Sequence, residues 1–152
     1  MKHDSRLSSV LHVLLHMAES DRALTSEELA GYLDTNPVVV RRVLGGLRGA
    51  GLVDSVRGHG GGWSLTCDLR SVTLRDVYQA IGSPAVFAIG NRRLKPACPV
   101  EQIVNEAVDG AFREAEALLA ARFASISLAD LTADFKRRLA ARPRKKSAAH
   151  AH

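Results

Sequence analysis

Aromatic residues are scarce in this chain, 5% of 152 residues, so any core it builds is aliphatic and expected to be helical. Cysteine is scarcer still. Cys67 and Cys98 are the only two, too few for a disulfide-stapled secreted scaffold. No apolar run approaches the length of a membrane span, and no membrane partner is expected. Residues 7–18 are apolar-rich, but His12 and His16 interrupt them and no small-residue cleavage site follows, so they do not read as a signal peptide. The expectation is a cytoplasmic protein. Enzyme signatures are also missing: no acid/base pair, nucleophile elbow or metal triad is visible, and no catalytic residue is assigned.

The apolar fraction, 46%, suffices for one domain with or without an appendage. The formal net charge is +5, but its distribution says more. Residues 136–152 hold seven Lys or Arg and no acid, which leaves residues 1–135 at −2. Residues 36–64 carry +3 through Arg41, Arg42, Arg48 and Arg57, and residues 101–134 carry −5. A compact basic segment beside an acidic helical region suggests a surface for phosphates and a separate surface for something else.

Leu7, Val10, Leu11, Leu14 and Met17 recur at helical spacing and predict an amphipathic helix over 5–19. Thr25-Ser-Glu-Glu28 is a capping box that opens a short second helix ending at Leu33. Asp34-Thr-Asn36 is a polar turn. Asn36 or Thr35 can cap a third helix, with Pro37 at its first position and Val40, Val43, Leu44 and Leu47 inward. Gly45 and Gly46 each cost that helix about 1 kcal/mol relative to Ala, which suggests close packing there or dependence on partner elements. Leu52–Val56 and Trp63–Thr66 read as strands around a glycine loop, Arg57-Gly-His-Gly-Gly-Gly62. A fourth helix over Val72–Ile81 has Thr73 and Asp76 as its cap pair. The fold class is mainly α: a winged helix-turn-helix with a two-stranded β-wing and a long C-terminal dimerisation helix. The expected organisation is a DNA-binding domain over 1–81, a linker over 82–99, dimerisation helices over 100–139, and a basic disordered tail over 140–152. Val104, Val108, Ala111, Ala115 and Leu118 recur in steps of four and three, a seam that suits packing against another helix. Ser127 can cap a last helix to about Leu139.

Five segments carry a resemblance: Thr25-Ser-Glu-Glu-Leu-Ala30, Asn36-Pro-Val-Val-Val-Arg-Arg-Val-Leu44, Leu47-Arg-Gly-Ala-Gly-Leu-Val53, Ser55-Val-Arg-Gly-His-Gly-Gly-Gly-Trp-Ser-Leu65 and Val72-Thr-Leu-Arg-Asp-Val77. Together they resemble the Rrf-two-type (Rrf2) transcription regulators, the family of IscR, NsrR and CymR, over roughly residues 5–135. Asn-Pro-Val-Val and Lys95-Pro-Ala-Cys-Pro-Val100 look most similar to its YwnA-like branch. The resemblance implies a homodimer on double-stranded DNA, with the third helix in the major groove, the wing at the minor groove, and the long helix paired with its mate.

Residue chemistry agrees with that expectation. A recognition helix presents its N-terminal side chains to base edges. Thr35, Asn36, Val38, Val39, Arg41 and Arg42 occupy that region, and arginine can bond guanine O6 and N7 in pairs. In the wing, Arg57, Gly58, His59, Gly60 and Gly61 suit a tip in the minor groove, where Arg gains from the negative potential. The plain alternatives are solvated arginines and an ordinary hairpin loop. His59-Gly-Gly-Gly-Trp63 also matches an oxyanion-hole string of lipases, but no G-x-S-x-G elbow accompanies it. No Gly-Lys-Ser/Thr follows the glycines, which excludes a P-loop.

Several members of the resembled family hold an iron–sulfur cluster on three linker cysteines. Here Cys98 is the only linker cysteine, so no cluster and no other cofactor is expected. Cys98 precedes Pro99 and the long helix, whose positive end favours a thiolate, with Arg92, Arg93 and Lys95 close in sequence. It is the redox candidate, against the plain alternative of an idle cysteine. His12 and His16 share a helix face at a spacing that could hold a metal, but a partly buried or interface pair is the commoner case, and no metal ligand is assigned. The functional expectation is a repressor on a palindromic operator, its effector unspecified. The alternative is a winged-helix adaptor working through protein contacts, against which Arg41 and Arg42 argue.

Overall fold

The computed structural model describes residues 4–87 and 97–142. The order is α1 (Arg6–Ala18), α2 (Ser26–Leu33), α3 (Pro37–Gly49), β1 (Val53–Val56), β2 (Gly62–Leu65), α4 (Leu74–Ala80), α5 (Pro99–Ala124) and α6 (Leu128–Ala141). This is the mainly helical winged arrangement that the sequence predicts. The basic tail beyond Arg142, the central part of the linker, and Arg92, Arg93 and Lys95 lie outside the described residues. No helix among those described is long and apolar enough to cross a membrane.

Three helices begin on reciprocal caps. Thr25 with Glu28, Thr73 with Asp76, and Ser127 with Asp130 each exchange side-chain and backbone bonds. Each cap satisfies amide groups that a helix start leaves without partners. The end of α3 is equally defined. Gly51 adopts φ +77°, its N–H donates to Arg48 O, and Leu52 N–H donates to Leu47 O, a Schellman stop that turns the chain into β1. The strands pair antiparallel, with Val53 opposite Leu65 and Val56 opposite Gly62.

The core is aliphatic, as the composition requires. Val10, Val13 and Leu14 of α1, Leu29 of α2, Val40, Leu44 and Leu47 of α3, Val53 of β1 and Val77 of α4 are all buried. Val43 is half-buried against them. The last helix joins the same core through Leu128, 1% exposed. Backbone bonds from Leu128 N–H to Val72 O and from Ala129 N–H to Leu69 O fasten the start of α6 to the segment before α4.

Most element boundaries fall within a residue or two of expectation, and two helix starts have a clear physical reason for their shift. The fourth helix starts at Leu74 rather than Val72, because Val72 and Thr73 are spent on the pairing with Ile126–Leu128 and on the cap. The long helix starts at Pro99, inside the expected linker, since proline suits a first helical position. No packing demand explains the α3 glycines. A Cβ on Gly45 would meet nothing within 4 Å, and one on Gly46 would meet Ala80 O at an ordinary 3.7 Å.

Candidate nucleic-acid interface

The turn between α2 and α3 fixes how α3 is presented. Asp34 closes α2 with φ +50°, a left-handed conformation that a short polar side chain tolerates. Asn36 then caps α3, its Oδ1 accepting from Val39 N–H at 3.1 Å. With Val40, Leu44 and Leu47 turned inward, the opposite side of α3 displays Val38 at 58% exposure, Val39 at 40%, Arg41 and Arg42. Thr35 and Asn36 are exposed at its start. The predicted reading residues of α3 therefore lie together on one open face.

Trp63 ties the wing to this face. Its backbone exchanges two hydrogen bonds with Leu24, at 2.7 and 2.9 Å, and its indole N–H donates to Ser26 Oγ at 3.1 Å. The wing thus hangs from the start of α2 as well as from β1. Glycine is needed here for space. A Cβ on Gly61 would stand 2.2 Å from Val56 O, and one on Gly62 would stand 2.6 Å from Leu24 O. Gly58 and Gly60 form the tip at φ +99° and +74°, where other residues are strained. Arg57, Gly58, His59 and Gly60 are exposed, while Gly61 is half-buried under the tip.

Between α3 and the wing lies an open cleft of about 610 Å³ that Arg41, Arg48 and Arg57 all line. Arg48 is held there from two sides. Its Nη1 donates to Ser55 Oγ at 3.2 Å, and its guanidinium carbon lies 5.7 Å from the Trp63 ring centroid, within cation–π range. Arg41 donates to Glu27 Oε1 at 3.1 Å across the helix pair. Arg42 and Arg57 have no ion-pair partner among the described residues. Arrayed cations on an exposed helix face and on the wing beside it can neutralise phosphates and reach base edges. Sequence reasoning did not select Arg48, Trp63, Ser26 and Glu27 as part of this site. Arg48 was visible as part of the basic segment, but its partners, Ser55 and Trp63, come from two different strands and have no spacing signature.

The long helix has a different character. None of its residues is buried: Val100, Ile103 and Leu118 are 69%, 67% and 75% exposed. Phe112 stacks on Phe87, and Phe123 meets Tyr78 edge-on, so one side of α5 faces its own domain. Of the predicted seam, Val104, Ala111 and Leu118 are exposed, while Val108 and Ala115 are half-buried.

Neither cysteine lies within a helix or strand: Cys67 follows β2 and Cys98 precedes α5. Cys67 is half-buried against α6, and burial raises its thiol pKa. Cys98 is the exposed N-cap of α5, and the N–H groups of Glu101 and Val100 lower its pKa. Among the described residues no three His, Cys, Asp or Glu side chains gather as a metal site. These side chains do not fit a cysteine-held iron–sulfur cluster.

Residues 3–134 match the model of the Rrf2 family, described as iron-dependent transcriptional regulators. The chain belongs to the Rrf2 family. It is 32% identical to YwnA of Bacillus subtilis strain 168, an inferred HTH-type transcriptional regulator, over 84% of this chain and 95% of YwnA. Among solved structures, an inferred transcriptional regulator from Lactobacillus plantarum superposes with a TM-score of 0.71 at 27% identity, covering 87% of this chain and 90% of that one. IscR from T. potens shares the fold, with a TM-score of 0.69 at 18% identity over 94% of both chains. This Rrf2 protein is a DNA-binding transcriptional regulator, in a family of regulators rather than enzymes.

Proposed function

We propose that this Rrf2 protein is a homodimeric repressor on a palindromic operator, with α3 of each protomer in the major groove and each wing at the adjacent minor groove. One observation carries the reading: Val38, Val39, Arg41 and Arg42 share an open face of α3, and Arg57 of the wing lines the cleft beside it. Apolar side chains there suit thymine methyl groups, and a guanidinium suits guanine. Thr35 and Asn36 at the helix start, and Gly58, His59, Gly60 and Gly61 in the wing, approach the sugar–phosphate backbone. Two such units present their helices to half-sites about one helical turn apart.

The second protomer binds through α5. A 26-residue helix with no buried residue and four large apolar side chains more than half exposed is marginal as a free surface. Val104, Ala111 and Leu118 form the centre of the pairing seam. Val108 and Ala115 flank it on the side nearer their own domain. Residues 1–81 supply the reader and 100–139 the dimer helices, with 82–99 between them.

Cys98 is the regulatory thiol of this reading. Its thiolate attacks hydrogen peroxide at the first turn of the dimer helix: an S–O bond forms, the O–O bond breaks, and the hydroxide that leaves takes a proton from solvent to become water, leaving a sulfenic acid. Alkylation at pH 7 faster than that of a free cysteine supports this role, and an equal rate overturns it. No iron–sulfur cluster is needed in this scheme.

The operator is tested by selecting bound fragments from sheared genomic DNA with the reduced protein at low and high salt. Enrichment of one palindrome that survives salt is the expected result. Sequence-blind binding that vanishes with salt means phosphate attraction alone, and the adaptor reading then takes its place.

A further inference from the structure

The DNA-reading surface leaves one side-chain cluster unused. His12 and His16 stand one turn apart on α1, with their Nε2 atoms 3.0 Å apart. The His16 ring lies flat on Tyr32 of α2, with centroids 3.8 Å apart and planes 7° apart, and meets Phe135 of α6 edge-on at 6.2 Å. His16 is therefore fixed by three helices, and His12 is exposed beside it. Without an ion, one imidazole donates its Nε2–H to the lone pair of the other.

The same separation is the bite of a chelate. Two imidazole nitrogens each ~2.1 Å from one ion are ~3.0 Å apart at a 90° angle and ~3.4 Å apart at the tetrahedral angle. The observed 3.0 Å corresponds to cis positions of a tetragonal or octahedral ion. Such geometry with nitrogen ligands suits Cu(II) first and Ni(II) second. We propose that His12 and His16 form a two-imidazole site for a divalent ion of the Cu(II) class. On binding, the donor ring carries its proton on Nδ1, so both Nε2 lone pairs face the ion and the rings stay neutral. Water fills the other positions, since no group of three or more His, Cys, Asp or Glu gathers there among the described residues. Because His16 is already packed, little side-chain freedom is lost on binding. The ion fastens α1 at the point where α2 and α6 meet it.

The test uses the full chain without an affinity tag. His3, His150 and His152 are replaced by Ala to give a parent free of those competing imidazoles. Cu(II) is titrated against a competing chelator, with electron paramagnetic resonance as a second readout. The expected result is one ion per chain, an axial spectrum with coupling to two nitrogens, and a rise in the melting temperature. His12→Gln and His16→Gln should each weaken binding on the order of a hundredfold, because one ligand no longer holds the ion at the other. His12→Gln leaves the His16–Tyr32 stack in place, so its fold is retained. Affinity in either variant equal to that of the parent, or a spectrum with one nitrogen, overturns the site.

Discussion

Arg48 of α3 lies over the ring of Trp63 in β2, with its guanidinium carbon 5.7 Å from the ring centroid. This contact and the Arg48–Ser55 hydrogen bond join α3 to the wing, and Trp63 passes the link on to Ser26 of α2. Trp63→Phe keeps the ring but leaves Ser26 without its donor. A loss of about 1 kcal/mol is expected in urea unfolding. Trp63→Ala removes the packing as well and should cost about 3–5 kcal/mol.

Arg48→Ala and Arg41→Ala should weaken DNA binding in different ways. Arg48 is turned toward the cleft wall, a position for a phosphate, so its loss should weaken all sequences alike and reduce the salt slope by about 1. Arg41 is offered from the reading face, and its loss should cost about 1–3 kcal/mol at one operator position. Binding to a panel of single-base operator variants separates the two. Glu27→Gln frees Arg41 from its 3.1 Å ion pair and should blur discrimination at that same base.

Gly61→Ala should damage the wing more than Gly45→Ala damages α3. The first places a Cβ 2.2 Å from a carbonyl oxygen that cannot move without opening the hairpin. The second meets open space, and helix propensity should raise stability by about 1 kcal/mol. Melting temperatures of the two variants should move in opposite directions.

In the proposed dimer, Leu118→Glu should break the association, because it places a charge on the proposed seam of α5 while leaving the buried core untouched. Light scattering should report a monomer mass with an unchanged helical circular dichroism spectrum. A dimer mass would count against the seam.

Acid should loosen the start of α2. Hydrogen bonds from Arg22, then the Thr25 N–H, hold Glu28 at about 2, against an ordinary value of 4.5. The folded state binds fewer protons than the unfolded state between those values. The stabilisation is therefore complete above pH 4.5 and is lost as the pH falls toward about 2. Glu28→Gln keeps an acceptor for Thr25 and should flatten that part of the stability–pH curve, measured by urea unfolding.

Caps, periodicities and glycines determined much of this molecule in advance. Thr25-x-x-Glu28, Thr73-x-x-Asp76 and Asn36-Pro37 mark helix starts because they act within a single turn, where chain proximity alone brings donor to acceptor. The apolar spacing of α1 and α3 chose which faces are buried, and so which arginines remain outside. The motifs also carried the family resemblance. Tertiary structure decided what depends on distant segments meeting. Arg48 is set by Ser55 and Trp63, and Trp63 by Leu24 and Ser26, contacts whose spacing along the chain has no period. Gly61 reads from sequence as part of a wing tip in the minor groove and Gly62 as the end of a glycine loop, yet their own backbone neighbours require both. The 3.0 Å between two histidine nitrogens depends on a rotamer that Tyr32 and Phe135 hold in place. Local bonds are written in short strings of residues, whereas the packing of side chains from three helices exists only once the chain has closed on itself.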